Sequence, residues 1–79
     1  MELDILAAKQ KRLRDWSNFL KEQPVKYEVK VKTQALLELY ARALYDCWKK
    51  RSLDQSDIFK LDDYERQLEQ LNEEARFVN

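Results

Sequence analysis

The chain has no histidine and no glycine, one proline (Pro24) and one cysteine (Cys47) among its 79 residues. Each scarcity removes a class of function. Without glycine there is no Gly-rich phosphate loop, no nucleophile elbow and no dinucleotide fingerprint, because each needs backbone conformations that glycine alone adopts cheaply. Without histidine the usual general base and the commonest metal ligand are missing, and a lone cysteine neither completes a structural zinc site nor closes an intrachain disulfide. These residues predict a protein that is not an enzyme and carries no cofactor or metal. Long apolar runs are lacking too: Ile5 to Ala8 is the longest, far short of the ~20 residues that cross a bilayer. The start, Met1-Glu2-Leu3-Asp4, has neither the basic nor the apolar part of a secretion signal, which points with the single cysteine to a cytoplasmic protein.

What is present favours folding. Charged residues make up 38% of the chain, but so many leucines and aromatics are more than a disordered tail carries. The length allows one small domain, residues 1–79. Fifteen basic residues balance fifteen acidic ones, yet residues 1–51 carry an excess of positive charge and residues 52–79 an equal excess of negative charge. A basic N-terminal element lying beside an acidic C-terminal helix is the simplest outcome.

At 100° per residue, Ile5, Leu6, Leu13, Trp16 and Leu20 share one stripe of a helix spanning about residues 4–22, ended by Pro24. Lys9 falls inside that stripe, so its ammonium either meets a carboxylate from a facing helix or, more commonly, snorkels out. The period then changes. Val25-Lys26-Tyr27-Glu28-Val29-Lys30-Val31-Lys32 alternates apolar and charged residues, with β-branched or aromatic apolar members, and predicts an extended segment or β-strand over 25–32. As a helix it would put Val25 and Val29 on one face and Tyr27 and Val31 on another. A single strand cannot satisfy its own backbone, so it calls for a symmetry mate or a partner chain. Thr33 is then the expected N-cap of a second helix over 33–50, whose broad apolar arc (Leu36, Leu37, Tyr40, Ala41, Ala43, Leu44, Cys47, Trp48) makes it the central element. A third helix over 54–77 is marked by Asp54 as cap and by Leu53 and Ile58 as a hydrophobic staple. Along it Leu61, Tyr64, Leu68, Leu71, Ala75 and Val78 recur at spacings of three and four, forming a short coiled-coil seam for helix two or for a dimer mate.

The chemistry-bearing residues read blandly. Cys47 sits in the apolar arc with no histidine to activate it. The acids from Asp54 to Glu74 lack the pattern of a calcium loop, with Ile58 and Phe59 where ligands are needed; Asp62 and Arg66 form an i,i+4 pair, and the remaining acids are expected on a solvated face. Trp16, Phe19 and Trp48 have core spacing, and Asp4, Asp15 and Glu22 interrupt the basic face that a membrane-surface helix would need.

An alternating strand followed by two helices resembles the ribbon-helix-helix repressors over residues 25 to about 70. The resemblance implies a dimer whose paired strands lie in the DNA major groove, with Lys26, Glu28, Lys30 and Lys32 facing outward and Lys26, Lys30 and Lys32 binding DNA. The helix ahead of the strand and the missing glycine turn depart from that family, and Glu28 would repel phosphate. The favoured expectation is therefore an all-α, dimeric, three-helix protein with the extended 25–32 segment. It would act in protein–protein interaction as a small adaptor, assembly factor or inhibitor of the kind bacteria and phages encode. Its binding residues would be Val25, Tyr27, Val29 and Val31 on the strand and Leu61, Tyr64, Leu68 and Leu71 on the seam.

Overall fold

A computed structural model of the chain describes residues 2–22 and 25–76. Three helices follow one another: α1 (Glu2–Glu22), α2 (Tyr27–Lys50) and α3 (Gln55–Arg76). The expected helix stop at Pro24 and the seam residue Val78 lie outside the described residues, as does the side chain of Ala75. One core cluster joins Leu6 of α1 to Tyr40, Leu44 and Cys47 of α2 and to Leu53 and Leu61; a second joins Leu20, Leu37 and Leu68. The start of α1 thus meets the end of α2 and the start of α3, so α1 and α3 run parallel with α2 antiparallel between them. The bundle measures 42 × 20 × 18 Å. No helix among the described residues is long and apolar enough to cross a membrane.

The 25–32 segment is where the structure departs from expectation. No strand occurs among the described residues, and α2 begins at Tyr27, six residues before the expected start at Thr33. The physical reason is that the inward stripe of α2 extends backwards at helical spacing: Cys47, Leu44, Tyr40, Leu37 and Thr33 are all buried, and Val29 continues the row as a half-buried residue. The alternating pattern is real but splits across the helix, sending Tyr27 and Val31 into solvent. Thr33 is accordingly no cap. It is 2% exposed in the helix interior, and its hydroxyl is satisfied by donating to the Val29 carbonyl at 2.7 Å. The cap position falls to Lys26, which makes no side-chain capping bond; its carbonyl accepts from the Lys30 N–H at 2.9 Å, and Glu28 places a negative charge in the first turn.

Helix α2 ends on Arg51 in the left-handed conformation (φ 53°, ψ 35°), its N–H donating to the Trp48 carbonyl. In a chain without glycine, an arginine takes the position glycine usually fills. The next helix starts as its sequence says. Asp54 Oδ1 accepts from the Asp57 N–H at 2.9 Å, and Asp57 Oδ2 accepts in return from the Asp54 N–H at 3.2 Å, a reciprocal capping box. Leu53 is buried and Ile58 packs against the same cluster, completing the staple. Lys50 Nζ lies 2.6 Å from Asp57 Oδ2 and ties the end of α2 to this cap.

Candidate functional site

Three features of the bundle bear on function: a polar junction inside it, a cleft beside that junction, and the outer face of α2.

The junction grows from the lysine in the apolar stripe of α1. Lys9 does not snorkel; its ammonium lies 3.0 Å from Glu65 Oε2 and 3.2 Å from Asp62 Oδ1, and its side chain is only 12% exposed. The hydroxyl of Tyr40, a fully buried residue, donates to Glu65 Oε1 at 2.9 Å. Arg12 reaches the same oxygen at 3.5 Å and Glu69 at 3.4 Å. Glu65 is therefore the point where all three helices meet through polar atoms. Burial, followed by the hydrogen bond to Glu65 and its negative charge, raises the Tyr40 phenol far above its ordinary pKa and keeps it a donor. Asp62 is drawn to Lys9, and no Asp62–Arg66 bridge forms among the described residues. Among the described residues α1 and α3 do not come within 8 Å of each other Cα to Cα, so these long side chains span the gap between them.

One heptad further along, the same positions carry different chemistry. Lys9, Arg12 and Glu65 are succeeded by Trp16, Phe19 and Asn72. There the α1/α3 groove opens into a cleft of about 270 Å³ lined by Arg12, Asp15, Trp16, Phe19 and Asn72. The two rings meet edge to face, with centroids 5.9 Å apart and planes at 80°. Asn72 Oδ1 is buried and accepts from no donor among the described residues.

The outer face of α2 carries large apolar side chains interspersed with the charged Glu28, Glu38, Arg42, Asp46 and Lys49. Counting roughly 100° per residue, Tyr27, Val31, Ala35, Leu39 and Tyr45 fall within an arc of about 120° turned away from the core stripe. Tyr27 is 80% exposed and Tyr45 64%, with Val31 and Leu39 each nearly half exposed.

The sequence-derived candidates are distributed unevenly. Of the expected strand residues, Tyr27 and Val31 lie on this outer face, whereas Val25 and Val29 are half-buried. Of the seam, Leu61 and Leu68 are fully buried against α2 and offer no surface, while Tyr64 and Leu71 are partly buried. Lys26, Lys30 and Lys32 are exposed, but the two-stranded ribbon that would aim them into a groove has no strand to build from, since residues 27–32 are helical. Cys47 is 1% exposed, and its thiol pKa is raised by burial and by the Asp57 carboxylate, so it is a poor nucleophile. No group of three or more His, Cys, Asp or Glu side chains among the described residues is arranged to hold a metal ion. Periodicity did not identify Glu65 or Asn72, which flank the apolar seam; the signal for Glu65 was Lys9, a cation inside an apolar stripe that needs a counter-charge.

Compared with known protein families, curated proteins and solved structures, the chain has no significant match in any of the three.

Proposed function

We propose that this chain is a non-enzymatic protein–protein interaction module that docks through the outer face of α2, with a second copy of itself as the first candidate partner. The supporting observation is the set of large exposed apolar side chains on the outer side of α2. Single exposed apolar residues are ordinary on protein surfaces, but Tyr27, Val31, Leu39 and Tyr45 share, among charged residues, the side of a helix whose opposite side already fills the core. A partner helix laid along that side would bury tyrosines, which are enriched in interfaces, and would have to pair with the charges of Glu38 and Arg42 that lie within it. A cytoplasmic setting belongs to the same proposal and draws support from the single, unpaired Cys47.

Sedimentation equilibrium at micromolar concentration tests the self-association. The wild type should run at about twice the 9.6 kDa monomer mass. Leu39→Glu combined with Tyr45→Glu should return it to monomer while keeping its helical circular dichroism, since neither side chain belongs to the core. A monomeric wild type would dismiss the homodimer. If, in addition, crosslinked partners from the native host were captured equally by wild type and double variant, the α2 face would be dismissed with it.

A further inference from the structure

The outer side of α2 also carries the information that orients a partner, and the inference drawn from it rests on the docking face proposed above. Val31, Ala35, Glu38, Arg42, Tyr45 and Lys49 recur at spacings of four and three on the side opposite the buried row, and all of them are exposed. That spacing is the one by which two helices pair along a seam. The middle of this seam is charged. Glu38 and Arg42 stand one turn apart there, and neither side chain makes a hydrogen bond or ion pair among the described residues. A charge covered by a partner has to be met by its opposite, because an uncompensated one costs more than the surrounding apolar contact returns. The ends of the helix differ in sign as well, with Glu28 in the first turn and Lys49 in the last.

We propose that this face pairs with the same face of a second copy in antiparallel orientation, about a two-fold axis at the level of Tyr40, with Glu38 of each copy against Arg42 of the other. The charge pattern selects this arrangement. In a parallel pair in register, Glu28, Glu38, Arg42 and Lys49 would each face an identical residue, and like charges set against each other across an interface are costly. A parallel pair staggered by one turn relieves that repulsion but leaves a head-to-tail contact that does not close as a dimer. Antiparallel pairing centred between Glu38 and Arg42 satisfies both residues twice over. It also lays Tyr45 over the small Ala35, brings Leu39 beside Leu39 of the second copy, and points the acidic first turn of each helix toward the basic last turn of the other. Because α1 and α3 pack on the buried row, the opposite side of α2 is open to such a mate.

Sedimentation equilibrium on the intact chain reads the charge pairing. Glu38→Arg and Arg42→Glu should each weaken the dimer at least about tenfold, because the centre of the interface then holds charges of one sign only. Combined in one chain, the two substitutions exchange the partners of each pair and should return the dissociation constant to within about threefold of the wild type. Disulfide trapping reads the orientation. Chains carrying Ala35→Cys should crosslink to chains carrying Tyr45→Cys when the two are mixed under mild oxidation, and Ala35→Cys alone should not crosslink to itself. The native Cys47 is buried and stays in place, with the wild type as its control. All the substituted positions are exposed, and helical circular dichroism checks the fold of each variant. If the wild-type dimer is lost with the Leu39→Glu and Tyr45→Glu pair, yet Ala35→Cys crosslinks to itself or the double charge exchange is as weak as the single ones, the α2 face stands and the antiparallel pairing is overturned. A wild type that stays monomeric at the same concentrations overturns this pairing together with the homodimer.

Discussion

Replacing Tyr40 by Phe and Glu65 by Leu, singly and together, tests whether the junction at Glu65 acts as one unit. Tyr40→Phe removes the buried 2.9 Å donor to Glu65 Oε1, while Arg12 at 3.5 Å remains on that oxygen and Lys9 on the other. A hydrogen bond to a charged group is worth about 1.5–3 kcal/mol, and with two cations still in place the loss should fall near the lower end. Glu65→Leu is costlier in kind: it strands the Tyr40 hydroxyl without an acceptor, about 1–3 kcal/mol, and leaves Lys9 dependent on the half-exposed Asp62. In the double variant the stranded hydroxyl no longer exists. The double loss should therefore be smaller than the sum of the single losses by at least about 1 kcal/mol. Urea melts followed by helical circular dichroism give the three differences directly; thermal melts should show about 4–8 °C per kcal/mol in a domain of this size. Additivity within about 0.5 kcal/mol would refute the reasoning, because Tyr40 and Glu65 would then contribute independently despite their contact.

Three further outcomes follow from the packing. Leu44→Ala and Leu37→Ala should each cost about 2–5 kcal/mol in equilibrium melts, while Glu38→Ala on the exposed side of the same helix should change little; equal melts for all three would contradict the orientation of α2. Proline at Tyr27, the first helical position, should be tolerated, whereas Val31→Pro should cost about 3 kcal/mol or more by removing a helical N–H; indifference to both would return residues 27–32 to a non-helical connector. The Asp54 carboxylate is held below its ordinary pKa of 3.8, first by the Asp57 backbone N–H and then by the Ser56 hydroxyl. Its capping contribution is thus complete above pH 3.8 and is lost as the pH falls below that value toward the depressed native pKa, so the wild type should lose more stability on that descent than Asp54→Asn, which accepts the same bonds without titrating; parallel pH curves would remove Asp54 from the account.

The elements whose signals agree with one another were legible in the sequence. The start of α3 has a cap, a partner three residues on and a staple, and all three form. The core positions Leu37, Tyr40, Leu44 and Cys47 followed from helical spacing alone. At residues 25–32 two periods competed: strict alternation favoured a strand, while Val29 and Thr33 also continued the inward row of α2. Burial of that row against α1 and α3 is a tertiary gain that local alternation cannot report. The junction was half legible. Lys9 announced a need for counter-charge, but its partners are 53 and 56 residues away, and which acids on α3 face inward depends on a bundle register that one helix does not encode. Asn72 stood out only once its neighbours were known, because an unmet acceptor is a property of surroundings and not of residue type.

The short joint from Arg51 to Asp54 has a kinetic consequence. It brings α2 and α3 together across four residues, fixes the turn with the left-handed Arg51, starts α3 with the reciprocal aspartates, and buries Leu53 between the two helices. Closing so small a loop costs little chain entropy, and its stop and start signals are intrinsic to the hairpin. The α2–α3 hairpin should therefore assemble in the rate-limiting ensemble, with α1 clasping it afterwards through Lys9 and Arg12. In stopped-flow chevrons, Leu53→Ala and Leu61→Ala should mainly slow refolding, giving high φ-values, whereas Leu6→Ala and Leu20→Ala should mainly accelerate unfolding. A reversed pattern would make α1 part of the nucleus. With the order as stated, α1 is the helix that comes away first when the protein opens, and with it goes one wall of the Trp16 cleft.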